Sequence, residues 1–444
     1  MKHAYSIRLK TIRQALEGRD VVWFGTRGVD AEPLLNLVRP LAVISQIAPL
    51  PADKACGIEQ DCLESRTNRR VDLDIYDIDL DFSREAVGLK LSLLRSVSSP
   101  VALIAYRAAE FLASIAFTDP MVQLHAPFHL CQRQLEHKPW VECNLSLLGI
   151  PVIPWTYIRD GNAEAVNRVL EKGPAVGRTN TGAGGAGVFT FSTVEEFQEK
   201  LPIHNDGFVG VSPYFENAIP LNVNACVYRN GETTVFAISY QLIGIKDCSW
   251  RRMGYCGNDF AAAAELPKEI HDRVEQIAKK TGQWLHRLEF QGVFGLDLLL
   301  HDGNIMVSEI NPRFQGSTSL CARLNQSLGI TDPFAEHIAS FLGLKPPDLP
   351  SCREQRIAIA ESDGSVAKAQ VIYHNINSQS IRVRSYRLPE LGEEYELACV
   401  PDRGIYVDPH AIIAKSIHFK RVTGNGYTLE ENATGVRKLM DIGY

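Results

Sequence analysis

The chain has 444 residues, 45% hydrophobic and 22% charged, with a formal net charge of -6. At roughly 100–200 residues per domain this length gives two to four domains, each able to bury a core. The mildly acidic balance lacks the dense basic field that nucleic acid requires, so RNA and DNA are not expected partners. The first twenty residues are charged throughout and hold no apolar core, so they do not read as a secretory signal. The most apolar stretch, Ser98 to Phe117, is interrupted by Arg107 and Glu110 and falls short of the ~20 residues of a membrane span. Ten scattered cysteines without a CxxC pair fit reduced thiols, and the expected location is the cytoplasm.

In chain order, Val21–Phe24 followed by Gly25-Thr26-Arg27-Gly28 reads as a buried strand ending in a tight turn. Ala31 to Val38 then carries apolar residues at helical spacing, giving a strand, loop and helix suited to an open α/β layer. From Val71 to Asp81 aspartates alternate with apolar residues, which predicts a strand with a solvated acidic face; chelation of a cation would need convergent oxygens. Ser98 or Ser99 before Pro100 predicts a helix start, with the helix running to about Phe117. Residues 1–122 are thus expected to form one small α/β domain. The segment Leu344 to Pro350 holds three prolines and breaks the pattern. Beyond it Arg356–Ala360, Ala367–His374, Ser380–Ser385 and Ala411–Phe419 read as short strands of a small β-rich domain, residues 352–444. Its basic residues Arg382, Arg384, Arg387 and Lys415 are either solvated or available to an acidic peptide.

The middle of the chain carries the chemistry. Gly182, Gly184, Gly185 and Gly187 lie beside the apolar β-formers Val188–Phe191, a composition that suits a hairpin lid able to offer backbone N–H groups to phosphate; the plainer reading is a flexible surface loop. Arg178 stands at the mouth of this loop with a permanent charge and a fork of donors. Downstream, the apolar run Gly292–Leu300 contains one acid, Asp297, and His301-Asp302-Gly303-Asn304 supplies turn chemistry. The returning strand carries Glu309, Asn311 and Arg313 at a spacing of two, on one face and beside Asp297. Two carboxylates and an amide oxygen are hard ligands for Mg²⁺, and the alternative is a salt-bridge network with Arg313. Between Gln241 and Gly257, Lys246, Arg251 and Arg252 suggest either a loop reaching over a carboxylate substrate or a solvated basic loop.

From about Pro127 to Leu344 these motifs, in this order, resemble the ATP-grasp superfamily. The segment ending in Lys138, followed by the Gly149-Ile-Pro-Val-Ile-Pro154 stretch, resembles the family's opening lysine segment and the strand entering its small nucleotide-binding subdomain. The glycine loop resembles its phosphate lid, and Val209–Glu216 its adenine-reading hinge, placing Pro213, Tyr214, Phe215 and Glu216 on the nucleotide. Asp297, Glu309 and Asn311 match its magnesium ligands in type and spacing, and Arg313 the arginine of its "EINPR" ending. Arg178 departs from the pattern, because most members carry lysine before the glycine loop. The resemblance implies an α/β fold with α+β elements: an ATP-grasp core over 123–345, a pre-ATP-grasp α/β domain before it and a small β-rich domain after it, where an acceptor could bind. It further implies ATP and Mg²⁺ as cofactors and catalytic roles for Lys138, Arg178, Arg251, Arg252 and Arg313. The activity implied is ADP-forming ligation of a small-molecule carboxylate, an amino acid or derivative, to an amine or a peptide amino end through an acyl phosphate. The domain order also resembles the pheganomycin-type peptide ligases. Competing readings are a grasp carboxylase or synthetase with a non-amine acceptor and a nucleotide-binding regulatory module without turnover. The expected assembly is a homodimer without membrane or nucleic-acid partners.

Overall fold

A computed structural model describes residues 2–97, 100–159, 162–201, 207–387, 395–434, 436 and 441–443. The first region is a five-stranded parallel sheet in the order 59–62, 42–47, 20–27, 101–105, 122–125. The chain leaves the central strand Asp20–Arg27 toward one edge and returns on its other side with Val101–Ala105. A crevice therefore opens at the carboxyl ends of these two strands, where open α/β sheets place their ligands. The turn after the first strand becomes a 3-10 helix, Gly28–Asn36, in which Pro33 removes one backbone donor.

Two sequence expectations for this region are corrected. The 71–81 segment is a series of turns, because Asp72 Oδ1, Asp77 Oδ1 and Asp81 Oδ1 each accept from the backbone N–H two residues on, at 3.1, 3.0 and 2.8 Å. Such local bonds compete with strand pairing, and the alternation of residue types could not reveal them. Ser98 and Ser99 lie outside the described residues; past Pro100 the chain forms the strand Val101–Ala105, and the helix begins only at Glu110.

The middle of the chain builds two antiparallel sheets facing each other. The smaller runs 156–159, 208–213, 175–178, 188–191, and the glycine loop joins its last two strands as a hairpin. The Gly149–Pro154 segment makes only one bridge, Val152 to Val307, because Pro151 and Pro154 cannot donate to a ladder. The larger sheet has eight strands in the order 304–311, 292–301, 219–227, 233–243, 255–259, 369–374, 412–418, 395–398. Its last three strands come from the tail, which continues the central sheet through Gly257–Asp259 pairing with Ala369–Val371. Arg356–Ala360, expected as a strand, lies in the helix Cys352–Glu361. Ser351 and Glu354 close a capping box there, and Cys352, Gln355 and Ile359 are buried at helical spacing.

Buried ion pairs tie the first region to the tail. Arg70 is fully buried and binds Glu64 through Nε at 2.6 Å and Nη2 at 2.9 Å, while its Nη1 reaches the carbonyls of Cys399 at 2.6 Å and Ile412 at 3.1 Å. Lys415 Nζ binds Asp30 Oδ1 at 3.0 Å, and Asp30 Oδ2 accepts from Arg27 Nε at 2.6 Å. Replacing one partner of such a pair strands a buried charge. Arg70→Ala is expected to destabilise the fold by about 3–5 kcal/mol, read as a lower midpoint in urea unfolding.

Candidate active site

A cavity of about 320 Å³ lies between the two antiparallel sheets, and the loops of the parallel sheet form part of its wall. The hairpin of Gly292–His301 and Asn304–Asn311 sets Asp297 directly opposite Glu309, with a bulge immediately after Asp297. Asp297 Oδ1 accepts from Asn222 Nδ2 at 2.7 Å and Gln241 Nε2 at 2.8 Å, and its Oδ2 from Asn311 Nδ2 at 3.1 Å. Glu309 Oε1 takes Lys138 Nζ at 3.1 Å, and the same ammonium donates to the Gly182 carbonyl at 3.1 Å. Burial, then repulsion from Glu309, pushes the Asp297 carboxyl up to about 6, against these hydrogen bonds. The sheet has brought two carboxylates together at an electrostatic cost that the surrounding amides and Lys138 offset only in part.

Arg178 is buried and strongly engaged. Its guanidinium pairs with Glu142, donates to the Ser308 carbonyl at 3.1 Å and the Tyr157 hydroxyl at 3.2 Å, and lies 3.8 Å from the centre of the Trp155 ring. A lysine could not make this fork and stack together, which accounts for arginine at this position. Burial pushes the Glu142 carboxyl up, and the Arg178 charge opposes that shift.

Hinge residues Pro213, Tyr214 and Phe215 line the cavity, with Tyr214 N–H fixed to the Pro174 carbonyl at 2.8 Å. Glu216, expected with them, is exposed and off the cavity wall. Beside the hinge, Ser212 Oγ and Trp155 Nε1 are buried and have no hydrogen-bond partner among the described residues.

The glycine loop sits closed. Gly184 and Gly185 have φ of +56° and +80°, and a Cβ on either would overlap the Asp74 carboxylate or the Met253 carbonyl. Gly182 gives its carbonyl to Lys138, and the Gly187 carbonyl accepts from Thr179 N–H at 3.1 Å. The loop is therefore wedged between the acidic turns of the first region and the 241–257 loop. In that second loop Arg251 does not line the cavity: it bridges Asp72 and Asp74, both at 2.6 Å. Arg252 is exposed, 5.9 Å from the Tyr214 ring centre, and Lys246 is exposed as well. The expectation of basic side chains reaching into the site thus gives way, for Arg251, to a strut beneath the lid.

Lys138, Arg178, Gly184, Gly185, Pro213, Tyr214, Phe215, Asp297, Glu309, Asn311 and Arg313 all line this one cavity. Sequence reading missed Arg27, Asp74 and Tyr106 from the first region and Tyr255, Asn258 and Gln315 from the core. Arg27 carried a signal, its place at the carboxyl end of a buried strand, but nothing local showed which cavity that end meets.

Residues 150–317 match the ATP-grasp domain family. The chain resembles the biotin carboxylase domain of Hydrogenobacter thermophilus 2-oxoglutarate carboxylase, solved with MgADP and bicarbonate: 14% identity, 90% of this chain and 86% of that one, TM-score 0.61. It also resembles N5-carboxyaminoimidazole ribonucleotide synthetase from Thermus thermophilus, at 16% identity, 95% and 98% coverage and a TM-score of 0.58. Campylobacter jejuni biotin carboxylase is similar at 12% identity, 95% and 86% coverage and 0.56. No curated protein sequence matches the chain. The protein is a mixed α/β chain with the ATP-grasp fold, a parallel-sheet region before it and antiparallel sheets carrying the cavity.

Because the Met253 carbonyl blocks any side chain at position 185, Gly185→Ala is expected to unseat the loop. Limited proteolysis between 182 and 187 should then run several-fold faster than in the wild type, with far-ultraviolet circular dichroism unchanged.

Proposed function

We propose that the protein is an ATP-dependent, ADP-forming ligase that activates a carboxylate as an acyl phosphate and passes it to an amine. The observation carrying this reading is the in-register pairing of Asp297 and Glu309, with Asn311 beside them, on the wall that also holds the hinge, the glycine loop and Lys138. Two desolvated carboxylates and a carboxamide fit Mg²⁺, which would be held by Asp297, Glu309 and Asn311. When bound, Mg²⁺ neutralises nucleotide phosphate charge at the transferred group. Pro213, Tyr214 and Phe215 would hold the nucleotide base, and the unpartnered Ser212 and Trp155 donors would offer it polar contacts.

The chain's own groups do the rest. Lys138 exchanges Glu309 for a phosphate oxygen as the γ-phosphoryl moves to the substrate carboxylate. Arg313 meets the charge on the acyl phosphate. The glycine loop, seated on Asp74 and Met253, keeps water away until the amine displaces phosphate and loses its proton. Arg178 contributes its positive charge while it holds Glu142 and the Ser308 carbonyl in place. Within this reading the acceptor is an amine or a peptide amino end, as the likeness in domain order to pheganomycin-type ligases suggests.

A second reading, carboxylation with bicarbonate, is favoured by the fold likeness to biotin carboxylases. Mass spectrometry of products formed from ATP with amino acids, small peptides or bicarbonate separates the two, since only the first yields an amide with stoichiometric ADP. Asp297→Asn and Glu309→Gln are each expected to lower ADP release by roughly 100-fold or more; unchanged turnover in both would reject the ligase reading.

The raised pKa of Asp297 also gives a pH test. The folded state holds the Asp297 proton more tightly than the unfolded chain, so without metal this pair costs stability at neutral pH and is relieved as pH falls through about 6. Metal needs the deprotonated acid. The rise in thermal midpoint given by Mg·ATP should therefore be full at neutral pH and shrink as pH falls through about 6.

A further inference from the structure

Where the first region meets the cavity, charges are sorted in an unusual way. Arg27 and Lys415 share one acid, Asp30, so this buried trio carries an excess positive charge. Asp72 and Asp74 share one cation, Arg251, so the neighbouring trio carries an excess negative charge. Arg27 and Asp74 both face the cavity, and Tyr106 and Tyr255 lie on the same wall. Burial pushes both phenols up, so they remain neutral donors and leave the sorting intact. An isolated buried charge is costly unless a counter-charge meets it. Arg27 and Arg313 already offset Asp74 through space, and a ligand that is neutral overall but has separated charges can take over that pairing by direct contact inside the cavity.

The open valences agree. Arg27 is 7% exposed; its Nε serves Asp30 and its Nη2 the Tyr106 hydroxyl at 3.2 Å, which leaves Nη1 without a partner among the described residues. Arg313 donates Nη1 to the Phe314 carbonyl at 3.0 Å and places Nε 3.5 Å from Glu136, leaving Nη2. Asp74 binds Arg251 through Oδ2 and keeps Oδ1. A simple carboxylate has no donor for the Asp74 oxygen, and bicarbonate has one neutral hydroxyl but no cationic group.

We propose that this wall binds a free α-amino acid as the carboxylate substrate, its carboxylate on Arg27 and Arg313 and its ammonium group on Asp74, with Asp30 and Lys415 as positioning residues for Arg27. The proposal rests on the ligase reading and names its substrate class. It also assigns a chemical duty to Asp74: an amine kept protonated is no nucleophile, so the bound amino acid cannot serve as its own acceptor. The carboxylate gains the phosphoryl group, ADP leaves, and the amine of a second molecule later expels phosphate and gives up a proton.

The test is calorimetry on the full chain with Mg²⁺ and a non-hydrolysable ATP analogue, titrating free amino acids, their N-acetyl derivatives and their des-amino acids. At least one free amino acid should bind about tenfold or more tightly than both of its analogues. Asp74→Asn should erase that preference. Lys415→Met should weaken the free and des-amino compounds by the same factor, which a general folding defect would not do selectively while nucleotide affinity is kept. If the nucleotide analogue binds but free and N-acetylated forms bind alike, or if Asp74→Asn keeps the preference, the amino-acid subsite is wrong and the ligase reading stands. If the analogue does not bind the wild type, both fall.

Discussion

Asp297 and Glu309 face each other across one hairpin, and the rest of the site is arranged around that unfavourable contact. Two half-buried carboxylates in register would drive the strands apart were the charge not met from several sides. Asn222, Gln241 and Asn311 turn their amide N–H groups to one acid, and Lys138 crosses from another helix to the other. Lys138 in turn holds the Gly182 carbonyl, so the position of the glycine loop is mechanically tied to the acid pair. An electrostatic defect in an apolar sheet thereby becomes the fixed point of the cavity.

A second layer of organisation comes from distant parts of the chain. Phe314, next to Arg313, packs at 4.8 Å on Phe334 and at 5.7 Å and 6.2 Å on Trp23 and Tyr106, which fixes the backbone that carries Arg313 against the first region. Arg27 is held from behind by Asp30, which is itself held by Lys415 on the strand Ile412–His418. The tail reaches the site through this relay, which sets where one of the cavity's cations points, through Gln370, which donates to Tyr255 and the Gly316 carbonyl, and through Tyr427 on the cavity lining.

Much of the core was legible because its signals are local in sequence. The turn residues at His301–Asn304 and the two-residue spacing of Glu309, Asn311 and Arg313 dictate the hairpin and its face. The glycine loop between two β-forming runs likewise announced its hairpin. What failed was decided by side chains bonding to nearby backbone or by partners far away. The aspartates of 71–81 cap turns instead of lining a strand, and one of them, Asp74, then meets the lid and Arg251. Arg251 read as a substrate contact because its acidic partners lie some 180 residues earlier, beyond any local pattern. The pairing of the tail's strands with Tyr255–Asp259 was likewise invisible, because that strand lies across the intervening helices.

That continuity of the tail with the central sheet bears on how the polypeptide can assemble during synthesis. Asp30 and Arg70 have near partners in Arg27 and Glu64, but Lys415 and the Ile412 carbonyl stand 385 and 342 residues later, so the amino-terminal region leaves the ribosome with both buried groups only partly satisfied. Its parallel sheet can collapse early, but its final docking waits for Ile412–His418 to pair with Ala369–His374. Closure of such long loops is slow and leaves an open sheet edge meanwhile. Carboxyl-terminal truncation would thus expose a strand edge and leave Asp30 and Arg70 short of partners together, making shortened chains prone to aggregate.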